Sequence, residues 1–211
     1  MTRLTLLAPC ALVFLGACGG ALEQGDDPDD NPRAPTLPGN AARAFNDDVA
    51  ELRAAPRTPT TRLPTGGTAR YDGQIGSNLT IDGQDGYGMI GDLRMNVEFD
   101  GDRAVTGDVR DVNLLRDGTP IQRAIGTLRL NDGQQASGKL TVDADGILSF
   151  QSDDGRIVRS NLSLDLDGTI RSDDRSADAI VGTFTGFGDD FDVSGPSVDI
   201  VVRDGSFWAD R

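Results

Sequence analysis

Two thiols, Cys10 and Cys18, and 34 acidic side chains are the groups of this 211-residue chain best placed to do chemistry, because it has no histidine. That removes the commonest general base and the commonest metal ligand. No Ser-His-Asp set can be assembled. Asp143-Ala144-Asp145-Gly146 opens like a calcium-binding loop. Counting Asp143 as its first position, Ile147 falls where a third oxygen ligand belongs. Leu148 falls on the sharp-turn glycine and Asp154 on the bidentate glutamate. The stretch therefore reads as acidic turns with no metal ligands. Asp189, Asp190 and Asp192 offer paired carboxylates of the kind glycoside hydrolysis uses, but aspartate is so frequent here that such pairs arise by composition. No catalytic residue, cofactor site or metal site is expected, and the chain reads as a non-enzyme.

Cys18 has the more specific setting. Arg3 gives a positive start, residues 4–14 form a short apolar run, and Gly16 and Ala17 are small, as in an export signal. The run falls short of the about 20 apolar residues of a membrane-spanning helix. Leu15-Gly16-Ala17-Cys18 resembles the lipobox of bacterial lipoproteins. That resemblance implies a diacylglycerol on the Cys18 thiol, cleavage before it and acylation of the new amine. Residues 1–17 are then a signal peptide, and Cys18 is a lipidation site carrying three acyl chains. One chain anchors marginally, two or more stably. Many such proteins carry an aspartate after the cysteine that holds them at the inner membrane. Gly19 stands there instead, so the resemblance implies the outer membrane of a Gram-negative cell. Cys10 leaves with the signal, so the domain must stand without a disulfide.

The net charge is −14, and Arg3 is the sole charge in 1–17, so processing takes it to −15. A nucleic-acid binder is basic, and an anionic membrane surface repels this chain, which leaves the lipid as the anchor. Lys139 is the single lysine.

The elements that would position any site follow. Residues 18–39, acidic and Pro-rich, are expected to be a disordered tether. Residues 40–55 are expected to form a short helix with Asn40 as N-cap and Phe45, Val49 and Leu52 on one face. Pro56 ends it, and 56–67 is a linker. From 68 the period becomes two. Leu93, Met95, Val97 and Phe99 alternate with polar residues, as do Leu162, Leu164 and Leu166, and Val198, Ile200 and Val202. Asp-Gly pairs at 82, 100, 117, 132, 145, 154 and 167 are expected to be hairpin turns. The pattern predicts an all-β domain over 68–211, a single antiparallel, water-soluble β-barrel of eight or nine strands. Strands are expected near 68–76, 87–99, 104–115, 120–131, 136–142, 147–151, 156–167, 178–186 and 197–208. Phe184, Phe187, Phe191, Phe207 and Trp208 are expected to fill it where the last strands close on the first, with Trp208 at the seam near Tyr71.

Tyr71-Asp72-Gly73, then Gly91-Asp92-Leu93, Val97-Glu98-Phe99 and Val105-Thr106-Gly107, precede Gly182-Thr183-Phe184-Thr185-Gly186 and Gly205-Ser206-Phe207-Trp208-Ala209. Over 66–211 this order is similar to the β-barrel domain of transferrin-binding protein B and the factor H-binding proteins. The resemblance implies an eight-stranded barrel on a surface lipoprotein. This chain has one barrel where transferrin-binding protein B has two lobes, and Phe207-Trp208-Ala209 stands where Phe-Gly-Ala is usual. No binding residue of the family carries over. The expected function is a surface-exposed binding module for a protein or metal-carrier partner; the alternative is a structural lipoprotein facing the periplasm.

Cys18→Ser is expected to abolish labelling by a fatty-acid probe and to release the domain from membranes. A variant that still labels and pellets with membranes would remove the anchor.

Overall fold

Period-two alternation becomes strand pairing around a closed ring. The computed structural model describes residues 33–153, 155–172, 179–190 and 198–211; the expected signal peptide, Cys18 and most of the tether lie outside them. A helix, α1 (Ala41–Ala54), and a 3-10 turn at Thr60–Arg62 precede ten strands. These are β1 (Thr68–Ile81), β2 (Gln84–Glu98), β3 (Ala104–Arg116), β4 (Thr119–Arg123), β5 (Ile125–Gly126), β6 (Leu128–Ala136), β7 (Lys139–Gln151), β8 (Ile157–Arg171), β9 (Ala179–Asp190) and β10 (Ile200–Asp210). Eight of them close the barrel in the order β1-β10-β9-β8-β7-β6-β3-β2, and β2 returns to β1. Every pairing is antiparallel; β4 extends the ring as a hairpin on β3, and β5 pairs with β7.

The apolar set points inward. Leu93, Met95, Val97 and Phe99, Leu162, Leu164 and Leu166, and Val198, Ile200 and Val202 all belong to one core. Arg94, Asn96, Asp165 and Arg203 face outward. A membrane-spanning barrel has the reverse arrangement, so this one faces water. Eight strands leave room for side chains and little else. The interior void, between Leu79, Met89, Leu148 and Ile200, is only about 20 Å³.

Three Asp-Gly expectations need correction. Asp82-Gly83 and Asp117-Gly118 are tight turns with both residues at positive φ. Asp132-Gly133, Asp145-Gly146 and Asp167-Gly168 instead lie inside β6, β7 and β8. The β6–β7 turn is Ser137-Gly138. Strand β7 therefore runs unbroken where two strands were expected, and the expected 120–131 strand divides among β4, β5 and β6. Close packing explains the mid-strand glycines: a methyl at Gly146 would lie 2.3 Å from the Thr127 carbonyl oxygen. Asp154 lies outside the described residues.

The tether expectation also changes at its end. Strand β4 lies off the ring and offers a free edge, which chains tend to cover. Arg33 takes it: its N–H donates to the Arg123 carbonyl at 3.1 Å and its carbonyl accepts from Arg123 at 2.8 Å. Thr36 N–H donates to Asn113 Oδ1 at 2.9 Å, and Leu37 packs under α1. Residues 33–39 are thus a strap on the barrel wall. Helix α1 follows with Ala41, Phe45 and Val49 buried. Asn40 occupies the N-cap position, but its side chain makes no capping bond; its carbonyl accepts from Arg43 and Ala44.

The aromatic expectation divides. Phe184 and Phe207 are core, while Phe187 is exposed and Phe191 lies outside the described residues. Trp208 is on the outer wall, half-buried under α1 with Val181, Ile90 and Leu115. It does stand at the β1–β10 seam, opposite Gln74, but alternation turns its neighbour Phe207 inward. Phe207→Ala is expected to cost about 3–5 kcal/mol in urea denaturation, and Trp208→Ala less, since part of its surface is already wet. The reverse order of midpoints would contradict this placement.

Candidate functional site

Two neighbouring ladders of the barrel wall shift register at the same level. In β1 the register with β10 shifts between Gly76 and Asn78; in β10 the register with β9 shifts between Val202 and Gly205. Arg203 and Asp204 are the inserted pair, and Asp204 takes φ +52. Inward residues then change parity, from Ile200 and Val202 to Gly205 and Phe207. Bulges of this kind re-aim side chains and cluster beside functional sites. Ser77 sits at the interruption, its Oγ buried with no hydrogen-bond partner, an arrangement that costs free energy.

Helix α1 lies over the same level. Phe45 lies so close to Gly76 that a methyl there would be 2.9 Å from its ring. Between the helix, β1, β10 and the start of β2 runs an outer groove of about 490 Å³, lined among others by Asn46, Asn78, Asp85, Tyr87, Arg203 and Asp204. Thr80 Oγ1 donates to Asp85 at 2.7 Å. Tyr87 OH donates to Asp153 at 2.6 Å, and the Arg116 guanidinium lies 4.1 Å above the Tyr87 ring. Burial, reinforced by Asp153, pushes the Tyr87 phenol up from its ordinary value, so it stays a neutral donor at physiological pH. With Asp117 also present, acids outnumber the single cation Arg203 along the lining.

The groove offers acceptors, amides and an aromatic ring, the set that holds a polar or cationic surface by hydrogen bonds. Among the described residues no group of three or more acidic or thiol side chains is placed to hold a metal.

The residues singled out by sequence fall elsewhere. Asp143 and Asp145 lie on the outer face of β7, opposite Asp165 and Ser163, in a strand and not a loop. Asp189 is exposed on β9, away from the groove; Asp192 and Cys18 lie outside the described residues. Sequence reasoning missed Ser77, Arg203 and Asp204, although the parity change along β10 marks the last two.

No protein-family profile matches the chain, and no curated protein matches it.

Asp204 is the conformational test of the bulge. Asp204→Gly is expected to leave the melting temperature unchanged or higher, while Asp204→Val should lower stability by about 1–3 kcal/mol, since a β-branched residue resists positive φ. Equal stability of the two variants would remove the bulge.

Proposed function

We propose that this chain is a lipid-anchored lipoprotein of a Gram-negative outer membrane, and that its barrel is a surface-exposed binding module for a protein or a metal carrier. The observation that carries the reading is Leu15-Gly16-Ala17-Cys18 standing ahead of a closed, filled barrel. About fifteen residues separate Cys18 from Arg33, where the strap meets the wall. Fully extended they reach roughly 50 Å at most, enough to hold the domain clear of a bilayer while keeping it tethered.

A filled interior leaves the outer wall as the surface for a partner. The groove at the bulged seam supports this, being concave, polar and built around an irregularity that lowers local stability. The motif order similar to transferrin-binding protein B points the same way, because such barrels act by binding. The partner's identity is not carried over, since no family binding residue has a counterpart here. The absence of histidine supports binding over catalysis.

Protease treatment of intact cells tests the display. An epitope within 68–211 is expected to vanish when intact cells are exposed to protease. Protection until the outer membrane is permeabilised would instead favour the structural, periplasm-facing alternative.

A further inference from the structure

At the other end of the barrel from the Arg33 strap, the chain between α1 and β1 runs beside the end of β8. Thr58 N–H donates to the Ile170 carbonyl at 3.2 Å, and Ser172 N–H to the Pro56 carbonyl at 3.1 Å. That bridge sets Arg57 directly opposite Arg171. Lys139 pairs with Thr169, two residues before Arg171 on the same face, so it is their diagonal neighbour. Arg53 reaches in from the last turn of α1, held by a 2.9 Å bond to Ser206 Oγ. These four cations line one groove of about 550 Å³, with Asp167 its single carboxylate. The chain as a whole carries 34 acidic against 20 basic residues.

Like charges directly opposite each other on paired strands are destabilising. Among the described residues, one other pair of arginines is set opposite in this way, where Arg33 faces Arg123. There Asp111 supplies the counter-charge, 2.7 Å from Arg123. Among the described residues, Arg53, Arg57, Lys139 and Arg171 make no ion pair with any carboxylate. Arg171 donates from Nη1 to the Ala55 carbonyl at 2.9 Å, and its Nε is buried with no partner. Backbone bonding therefore holds two guanidinium groups together with a lysine beside them, with no ion pair to any of the three among the described residues.

We propose that Arg57, Arg171 and Lys139, with Arg53 at the rim, form a binding site for an oxyanion of the phosphate type. Guanidinium forks match phosphate oxygens two at a time, and the lysine adds a point charge. The Thr141, Thr169 and Thr183 side chains along the groove offer hydroxyl donors to the remaining oxygens. The anion is either a free phosphate or the headgroup phosphate of a lipid. The inference does not depend on the lipid anchor or on the groove at the bulged seam.

Because Lys139 is the single lysine, its reaction with an amine-acylating reagent reports on this site. The full chain, reconstituted in phosphatidylcholine vesicles, is labelled with and without inorganic phosphate, against chloride at equal ionic strength. A parallel sample uses vesicles containing phosphatidylglycerol. Labelling of Lys139 is read by mass spectrometry. At ten times the dissociation constant, phosphate is expected to slow labelling about tenfold. Slowing by phosphate in phosphatidylcholine assigns a free oxyanion; slowing only with phosphatidylglycerol assigns the headgroup. Arg57→Gln should remove either effect, and without phosphate it should melt no lower than the parent, since it relieves the opposed charges. Labelling unchanged in both samples, or slowed equally in Arg57→Gln, would overturn the site.

Discussion

Everything in this fold depends on the seam where β10 closes on β1. The two strands are more than a hundred residues apart in sequence, yet pair from Asp72↔Asp210 to Ile81↔Ile200. Without that ladder the sheet would have two long edges, each a template for another chain. Phe207 fixes the closure from inside. It pairs with Ile75 on one side and Gly182 on the other, and Gly182 pairs in turn with Gly168. A methyl at Gly182 would lie 2.4 Å from the Phe207 ring. The ring thus occupies the space that two side chains would need, and the barrel wall bends around it.

Closure from inside leaves an apolar problem outside. Ile90, Leu115, Val181 and Trp208 face away from the core and form a patch on the wall. Helix α1 and the strap are what cover it. Mean propensity would not hold a helix of this length in water, so its stability is that of the patch it buries. The covering element then defines the two grooves, since its first half overhangs the bulged seam and its last turn brings Arg53 to the opposite end. A segment that reads in sequence as an adjunct to the barrel is part of how the barrel presents its surface.

The class of fold was legible because alternation acts over whole strands. Leu93 to Phe99 and Leu162 to Leu166 leave no doubt about which face is buried, and the barrel follows from their number. What was not legible was the role of Asp-Gly. The dipeptide accepts positive φ, which a hairpin and a bulge both need, and glycine alone also serves where a neighbouring strand or ring comes close. Only the parity of the flanking apolar residues separates these cases. Parity is kept across Asp167-Gly168, from Leu166 to Ile170, so the strand continues. It changes across Asp132-Gly133 and Asp204-Gly205, from Leu130 to Gln135 and from Val202 to Phe207, so the strand bulges. The candidate groove was invisible for the same reason, and because its lining is assembled from α1, β1, β2, β3 and β10.

Charge on the outer wall is informative in the same way, by position and not by count. Aspartate and arginine are frequent throughout, and some of them neutralise one another in pairs. Asp72 faces Arg94 across the β1–β2 ladder at 3.2 Å, and Arg70 closes on it along the strand at 2.8 Å. Together, with the Arg70 hydrogen bond foremost, they hold its carboxyl below the usual range. Exposed pairs of this kind add little stability, but around Asp72 each charge has its opposite one rung or two residues away. The Arg57–Arg171–Lys139 cluster differs from the Asp72 group, since its strand register concentrates one sign of charge. The backbone bonds of Pro56 and Thr58 fix that register, so the cluster cannot relax by sliding. Like charge held together by backbone bonds, with no ion pair among the described residues, is what the proposed oxyanion would neutralise.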